Sequence, residues 1–205
     1  VKYLSFGNEV DSYFSTHASE WAAYVELVEY ARTYVKTLKP DLVVGVTTTY
    51  SGATGADKAN VATLNANMDA IFLTYYPINN STFVPRAVSS VETDMDAMLA
   101  LDSSKTLILQ EWGYPTSSVL SSTAQLQADF VAATFTAWRA RGTDRFPFIS
   151  FFKYREWNSA QCTISAQGQT AGMPVFEFLC SLGLIQNNRT VKAGMTQLQA
   201  EISAI

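Results

Sequence analysis

The sequence contains very little histidine and cysteine, which limits the metal sites that it can form. His17 is the single histidine among 205 residues, and the two cysteines, Cys162 and Cys180, do not form a CxxC pair. Structural zinc sites are built from clusters of such residues at close spacing. We therefore expect a function that needs no metal and no other cofactor.

Excess positive charge and long apolar runs are also missing. The chain has 14 Lys and Arg against 18 Asp and Glu, a formal net charge of −4 and a pI near 5.0. Proteins that bind nucleic acid usually present a basic face, and no such clustering occurs here. No stretch approaches the roughly 20 apolar residues of a membrane helix. We therefore expect neither nucleic acid nor a membrane as a partner.

The N-terminus lacks an initiating methionine and a charged leader, and Val1 opens directly into an apparent strand. This is not the pattern of a signal peptide, and we expect that upstream sequence has been lost or omitted. Cys162 and Cys180 lie 18 residues apart near the other end. A disulfide between them would stabilise the fold by about 3 kcal/mol, and two separate buried thiols are the alternative.

Hydrophobic residues make up 48% of the chain and charged residues 16%, which is typical of one globular domain. Strand-like apolar runs alternate with helix-like patterns, and this alternation predicts repeated βα units with a parallel sheet. The predicted strands are 3–7, 42–46, 70–74, 106–110 and 148–152, and the predicted helices are 20–39, 85–101, 123–141, 174–182 and 191–202. The stretch 51–67 is predicted to be a loop with a short helix.

A barrel fits this α/β pattern better than an open nucleotide-binding sheet does. An open sheet of that class carries a glycine-rich phosphate turn after its first strand, and neither GxGxxG nor GxxxxGK[ST] occurs here. Polar residues instead follow the strands, where the active face of a TIM (β/α)8 barrel forms. These strand ends are Asn8-Glu9, Tyr75-Tyr76, Glu111-Trp112 and Lys153-Tyr154.

The length permits only part of such a barrel, because eight βα units take about 250 residues. With five strands, residues 1–205 are predicted to be a single catalytic-barrel domain that lacks its first three βα units. Glu9 and Glu111 both follow a predicted strand. Two carboxyl groups about 5–5.5 Å apart are what retaining hydrolysis of a glycosidic bond requires.

Five segments in the right order resemble the clan A glycoside hydrolases, from strand 4 to strand 8 of their barrel. The Asn-Glu pair in Phe6–Val10 resembles the end of strand 4, and Leu107–Gly113 resembles strand 7 with its terminal Glu. Asp69–Pro77 is similar to strand 6, Arg155–Asn158 to the end of strand 8, and Leu182–Lys192 to the closing segment that follows.

The resemblance implies a retaining glycosidase that cleaves β-linked polysaccharides or oligosaccharides by double displacement. Glu9 would be the acid/base residue and Glu111 the nucleophile. Asn8 would bind the sugar 2-hydroxyl, and either Tyr75 or Tyr76 would donate a hydrogen bond to the nucleophile.

Two tryptophans are further predicted sugar contacts: Trp157 at the strand-8 position and Trp112 beside the nucleophile. The first three strands of the clan, which supply an Arg and a His to the sugar site, have no counterpart here, and His17 does not replace that His. A polymeric substrate and a possible disulfide together favour a secreted or periplasmic location.

Two other functions remain open at this stage. The chain is alternatively a non-catalytic half barrel that must pair with a second chain, since five strands leave two unpaired sheet edges. It is alternatively a carbohydrate-binding pseudo-enzyme that retains both glutamates without hydrolysis.

Overall fold

The computed structural model describes residues 1–142 and 144–204, which form six strands and nine α-helices. The strands are β1 (Tyr3–Ser5), β2 (Val43–Gly45), β3 (Thr47–Thr49), β4 (Ala70–Tyr75), β5 (Thr106–Trp112) and β6 (Phe148–Phe151). The helices are α1 (Val10–Phe14), α2 (Trp21–Leu38), α3 (Tyr50–Thr54), α4 (Lys58–Asn65), α5 (Ser90–Leu99), α6 (Ala124–Arg141), α7 (Ser159–Ser165), α8 (Pro174–Ser181) and α9 (Ala193–Ser203). Two short 3-10 helices lie at Ala18–Glu20 and Ser118–Leu120.

Neighbouring strands follow the order of the chain. β1 pairs in parallel with β2, and β3, β4, β5 and β6 form a four-stranded parallel sheet in that order. A doubly wound sheet reverses its strand order at a switch point, and this sheet does not. The predicted partial (β/α)8 barrel is therefore confirmed as the fold class.

The strands and helices form where the apolar pattern predicts them. All six residues of β4 are buried, as expected for a parallel strand covered on both faces. In α2 the apolar side chains of Trp21 and Val28 are buried, while Tyr30 on another face is exposed. The chain leaves α2 at Lys39, directly before Pro40, whose ring cannot continue a helix.

The chain divides into two compact units. Unit 1 comprises Val1–Tyr75, Asp96–Glu111 and Gly142–Ser150, and unit 2 comprises Tyr76–Met95, Trp112–Arg141 and Phe151–Ile205. Unit 1 contains an apolar cluster of the buried residues Ala70, Phe72 and Ile108, against which Tyr3 and Val43 pack.

Among the described residues of unit 2, two apolar clusters are defined. The first is Leu120, Phe178 and Leu182, and the second is Cys162, Ala166 and Phe176. Cys162 and Cys180 form a disulfide that joins α7 to α8, which decides between the two alternatives left open for these residues.

The differences from the predicted elements concern short or turn-rich segments. The second strand extends beyond Val46 as β3, and α5 begins at Ser90 rather than at Pro85. Pro85 is instead paired with Ile78 in an antiparallel bridge, which keeps this stretch out of the helix. Helices α1, α3 and α7 were not predicted, because five to seven residues carry too little periodicity to recognise.

Within the described ranges, no helix has the combination of length and apolar character needed to cross a membrane. The same ranges hold no group of three or more His, Cys, Asp or Glu side chains placed to bind a metal ion.

Candidate active site

The segment that carries Glu9 leaves β1 through two left-handed backbone conformations. Gly7 has φ 77°, and Glu9 has φ 48° and ψ 44°. The left-handed region is costly for a residue with a Cβ and persists only where the surroundings enforce it. On the strand side, the Phe6 N–H donates to the Gly45 carbonyl at 2.9 Å. On the other side α1 begins directly at Val10, so Glu9 lies at a fixed corner between strand and helix.

The Glu9 side chain is directed to the end of β4. The hydroxyl of Thr74 donates a 2.6 Å hydrogen bond to Oε1 of Glu9, and Thr74 itself is buried. Thr74 is the penultimate residue of β4, so the contact lies at the carboxyl end of that strand. The Glu9 carboxyl group is half-buried there.

The environment favours the protonated form of Glu9. Burial raises its pKa most, and the negative charges of Glu111 and Asp11 raise it further, while the hydrogen bond from Thr74 opposes them. The net result is a pKa above the ordinary glutamate value of 4.5. A carboxyl group that retains its proton in this way can act as a general acid.

Glu111 is the second-to-last residue of β5 and is half-buried. It lies close enough to Glu9 for its negative charge to raise the pKa of Glu9. The two predicted carboxyl groups thus both lie at strand ends of unit 1, near enough for the charge of one to act on the other.

Asn8 is exposed. A chain of hydrogen bonds connects its side chain to polar residues of the neighbouring strands. The Gln110 amide donates to Oδ1 of Asn8 at 3.2 Å, and the Thr47 hydroxyl donates to Oε1 of Gln110 at 2.6 Å. The hydroxyl groups of Thr47 and Ser5 lie 2.6 Å apart. The inner polar residues of β1, β3 and β5 thus orient the residue that precedes Glu9.

Tyr75 closes β4 and is fully buried. Its ring meets the ring of Tyr50 edge to face, with centroids 5.3 Å apart. Because Tyr75 is buried, its ring has no face available to a sugar. Its hydroxyl group is placed to contact other protein side chains. The assignment of a tyrosine to the nucleophile, Tyr75 or Tyr76, stays a prediction.

Tyr76 and Trp112 belong to unit 2. Tyr76 is half-buried, with its ring edge to face with Phe152 and Phe178. Trp112 is 1% exposed and packs against Phe130, among other rings. Because the indole of Trp112 offers no accessible face, we do not include Trp112 in the site proposed below.

Trp157, also in unit 2, is half-buried and lies over a lysine. The Lys153 ammonium is 3.1 Å from the centroid of the Trp157 ring and donates a 2.7 Å hydrogen bond to the Leu179 carbonyl. The pKa of Lys153 is lowered to about 8, mainly by burial; the charge of Glu156 opposes this shift and the charge of Lys192 adds to it. One face of Trp157 is thus occupied by a cation.

Sequence reasoning missed three groups that support the predicted residues, namely Thr74, Gln110 and Asp11, and it placed Lys153 at a strand end without its contact to Trp157. Each of these residues acts through its burial or through a contact with a residue distant in the sequence. Burial and long-range contacts produce no local sequence pattern. The single available signal was position, since Thr74, Gln110 and Lys153 all lie at or just beyond the ends of predicted strands.

Comparison by sequence finds no relatives, since no family model and no curated protein matches the chain. Comparison of the fold finds glycoside hydrolases. A β-glucuronidase from Faecalibacterium prausnitzii matches 100% of this chain with 18% identity and a TM-score of 0.63. A thermostable mutant of a xylanase from Cellvibrio japonicus matches 87% with 12% identity and a TM-score of 0.59. A GH2 β-galacturonidase from Eisenbergiella tayi matches 88% with 10% identity and a TM-score of 0.60.

The chain spans only part of each matched protein, namely 32%, 54% and 30% of their respective lengths. At such low identity these matches establish the fold and leave the activity to be argued from the site. The resemblance predicted from the strand ends is confirmed at that level. The fold of this chain is that of part of a (β/α)8 barrel of the kind found in glycoside hydrolases.

Proposed function

We propose that the chain carries the catalytic pair of a retaining β-glycosidase, with Glu9 as acid/base and Glu111 as nucleophile. The observation that carries the proposal is the placement of both carboxyl groups at strand ends of unit 1, where Glu9 is hydrogen-bonded to Thr74 and the charge of Glu111 favours its protonated form. One of them has a raised pKa, and a retaining mechanism needs one protonated and one ionised carboxyl group.

In the first step the Glu111 carboxylate attacks the anomeric carbon while Glu9 donates its proton to the leaving glycosidic oxygen. The bond from the anomeric carbon to that oxygen breaks, and an ester bond to Glu111 forms. Asn8, oriented by Gln110, binds the 2-hydroxyl of the sugar, where a hydrogen bond strengthens in the transition state.

In the second step Glu9, now ionised, removes a proton from water as the water oxygen attacks the anomeric carbon. The ester bond to Glu111 breaks, and the sugar leaves with its original β configuration. The raised pKa of Glu9 suits both steps, because the residue must gain and lose a proton within one cycle.

The substrate class is a β-linked polysaccharide or oligosaccharide. The disulfide between Cys162 and Cys180 supports a secreted or periplasmic location, since such bonds persist in oxidising compartments. Aryl β-xylosides, β-glucuronides and β-galacturonides are suitable first substrates, because the matched proteins are named for these sugars.

The decisive experiment removes the nucleophile. Glu111→Ala should abolish hydrolysis of an aryl β-glycoside, and added azide should restore part of it as an α-glycosyl azide. Glu26→Ala, which alters an exposed glutamate on α2, is the matched control and should keep full activity. Wild-type turnover by Glu111→Ala, or an initial hydrolysis product of inverted configuration from the wild-type protein, would contradict the proposal.

A second candidate function is a half barrel that acts only with another chain. A cavity of about 350 Å³ in unit 1 is lined by Phe72, Ile108 and Phe148, and Phe148 is 48% exposed on β6. We propose that a second polypeptide supplies further βα units against this apolar surface. Light scattering tests the idea: a stable monomer of 22.5 kDa with glycosidase activity excludes the requirement, and a dimer identifies a second copy as the partner.

A further inference from the structure

Asp11 is a buried carboxylate that the catalytic proposal does not use. It is 3% exposed, on the first turn of α1. The Thr49 N–H donates to its Oδ1 at 2.8 Å, and the Thr49 hydroxyl donates to its Oδ2 at 2.5 Å. Both bonds span 38 residues and attach the start of α1 to the end of β3.

The backbone around this carboxylate is packed without spare room. A Cβ added to Gly52 would come within 2.1 Å of Oδ2 of Asp11, so only glycine fits beside it. Thr49 also accepts a 2.9 Å hydrogen bond from the Gly52 N–H through its hydroxyl. Asp11 is thus held in one position by the strand end and by the helix that follows it.

That position lies two residues beyond Glu9. The left-handed backbone at Glu9 needs support from both sides. β1 provides it on one side, through the bond between Phe6 and Gly45. On the other side the buried, doubly bonded Asp11 is the first polar anchor after the corner.

Resting on the function proposed above, we propose that Asp11 is a positioning residue that fixes the Glu9 corner through Thr49 and places a second carboxylate near the proton donor. The groups that act on Glu9 are then the Thr74 hydroxyl from β4, Glu111 from β5 and Asp11 from α1. Two of these three are negative charges that favour the protonated acid.

Two substitutions separate the anchoring role of Asp11 from the effect of its charge on Glu9. Asp11→Asn keeps the shape and can still bond to Thr49, since its carbonyl accepts from the N–H and its amino group donates to the hydroxyl. It removes only the charge, so the pKa of Glu9 should fall and the high-pH limb of kcat/KM should move to lower pH. Asp11→Ala removes the anchor, and kcat should fall on the order of 100-fold with KM changed little.

Asp69→Asn is the matched control, because Asp69 is also a part-buried carboxylate in unit 1 that joins two elements by hydrogen bonds. Asp69→Asn should lower the stability of the fold and leave the pH dependence of kcat/KM unchanged. Titration of Glu9 by carbon-13 NMR, assigned with Glu9→Gln, measures the same pKa without any substrate.

The outcomes distinguish this proposal from the proposed function. If Asp11→Asn leaves the Glu9 titration unchanged, the inference is wrong, whatever the activity. If Asp11→Ala folds and keeps wild-type kcat, the anchoring role is wrong while the glycosidase proposal stands. If the titration moves as expected but the wild type hydrolyses no β-glycoside, the proposed function fails and the coupling of Asp11 to Glu9 stands.

Discussion

The hydroxyl of Thr74 donates a 2.6 Å hydrogen bond to Oε1 of Glu9, across 65 residues of sequence. The bond stabilises the ionised carboxylate and therefore opposes the effect of burial on the Glu9 pKa. A strand-end threonine thus adjusts how readily the proposed acid gives up its proton. This contact leads to the first prediction.

Thr74→Val should raise the pKa of Glu9, because it removes the group that lowers it and leaves the burial in place. Since Glu9 must be protonated in the first step, the high-pH limb of kcat/KM should move to higher pH. The measurement is a pH–rate profile with an aryl β-glycoside, or the NMR titration of Glu9 if turnover is low.

Thr48→Val is the control for this substitution. Thr48 is a fully buried threonine on β3, and its hydroxyl has no hydrogen-bond partner among the described residues. Its replacement should keep or slightly increase stability, since a buried hydroxyl without a partner is unfavourable. The proposed contact would be contradicted if the high-pH limb of kcat/KM did not move in Thr74→Val. It would also be contradicted if the limb moved equally in Thr74→Val and Thr48→Val.

The strand pattern and the strand-end glutamates could be predicted because they depend on local information. β4 is a continuous apolar run, and a carboxylate directly after or at the end of a strand is visible in the sequence. The left-handed backbone at Glu9 could not be predicted, since glutamate has no preference for it. The bonds from Thr74 and Thr49 also escaped prediction, because they join residues that only the folded chain brings together.

Aromatic residues were the least predictable part of the site. Trp112 and Trp157 both follow strand-like segments, but Trp112 is buried among other rings and Trp157 lies over Lys153. A sequence shows that a ring is present and does not show whether its face is covered. The covering groups, such as Phe130, come from helices far along the chain.

Asp69 gives a prediction about stability and pH. Burial alone would raise its pKa, but hydrogen bonds from Lys36, Arg32 and the Val44 N–H lower it below the ordinary value of 3.8. A carboxylate with a lowered pKa in the folded state contributes stability above pH 3.8, and this contribution is lost as the pH falls through the lower, folded-state pKa. Because water partly screens this carboxylate, Asp69→Asn should cost on the order of 1 kcal/mol at pH 7.

Urea unfolding of wild type and Asp69→Asn between pH 7 and pH 3 provides the measurement. The difference in unfolding free energy should be constant down to about pH 4 and should then shrink. A difference that grows in acid would show that the bonds to Asp69 do not favour its ionised form.

The disulfide between Cys162 and Cys180 closes a loop of 18 residues that links α7 to α8. Replacing both cysteines by serine should lower the unfolding free energy by about 3 kcal/mol, mainly because the unfolded chain gains freedom. Unfolding of the wild type with and without a thiol reductant should give a similar difference. An unchanged midpoint after reduction, with free thiols confirmed by mass spectrometry, would contradict a stabilising bond.

The ionised form of Lys153 is destabilised in the folded protein, whereas that of Asp69 is stabilised. Its ammonium is buried, with the side chain 6% exposed, and burial lowers its pKa to about 8 from 10.5. Below pH 8 the lysine is charged in both the folded and the unfolded state, so the cost of burying the charge is fully present. Between pH 8 and 10.5 the unfolded chain holds a proton that the folded chain has released, and folding becomes more favourable as the pH rises.

Lys153→Met keeps the length of the side chain and removes the titrating group. The unfolding free energy of the wild type should therefore rise relative to that of Lys153→Met between pH 7 and pH 10, by on the order of 1–2 kcal/mol. Lys58→Met, on the exposed first turn of α4, controls for the loss of one positive charge from the chain. If the wild type and Lys153→Met give parallel curves over this range, the ammonium over the Trp157 ring is not buried as the fold requires.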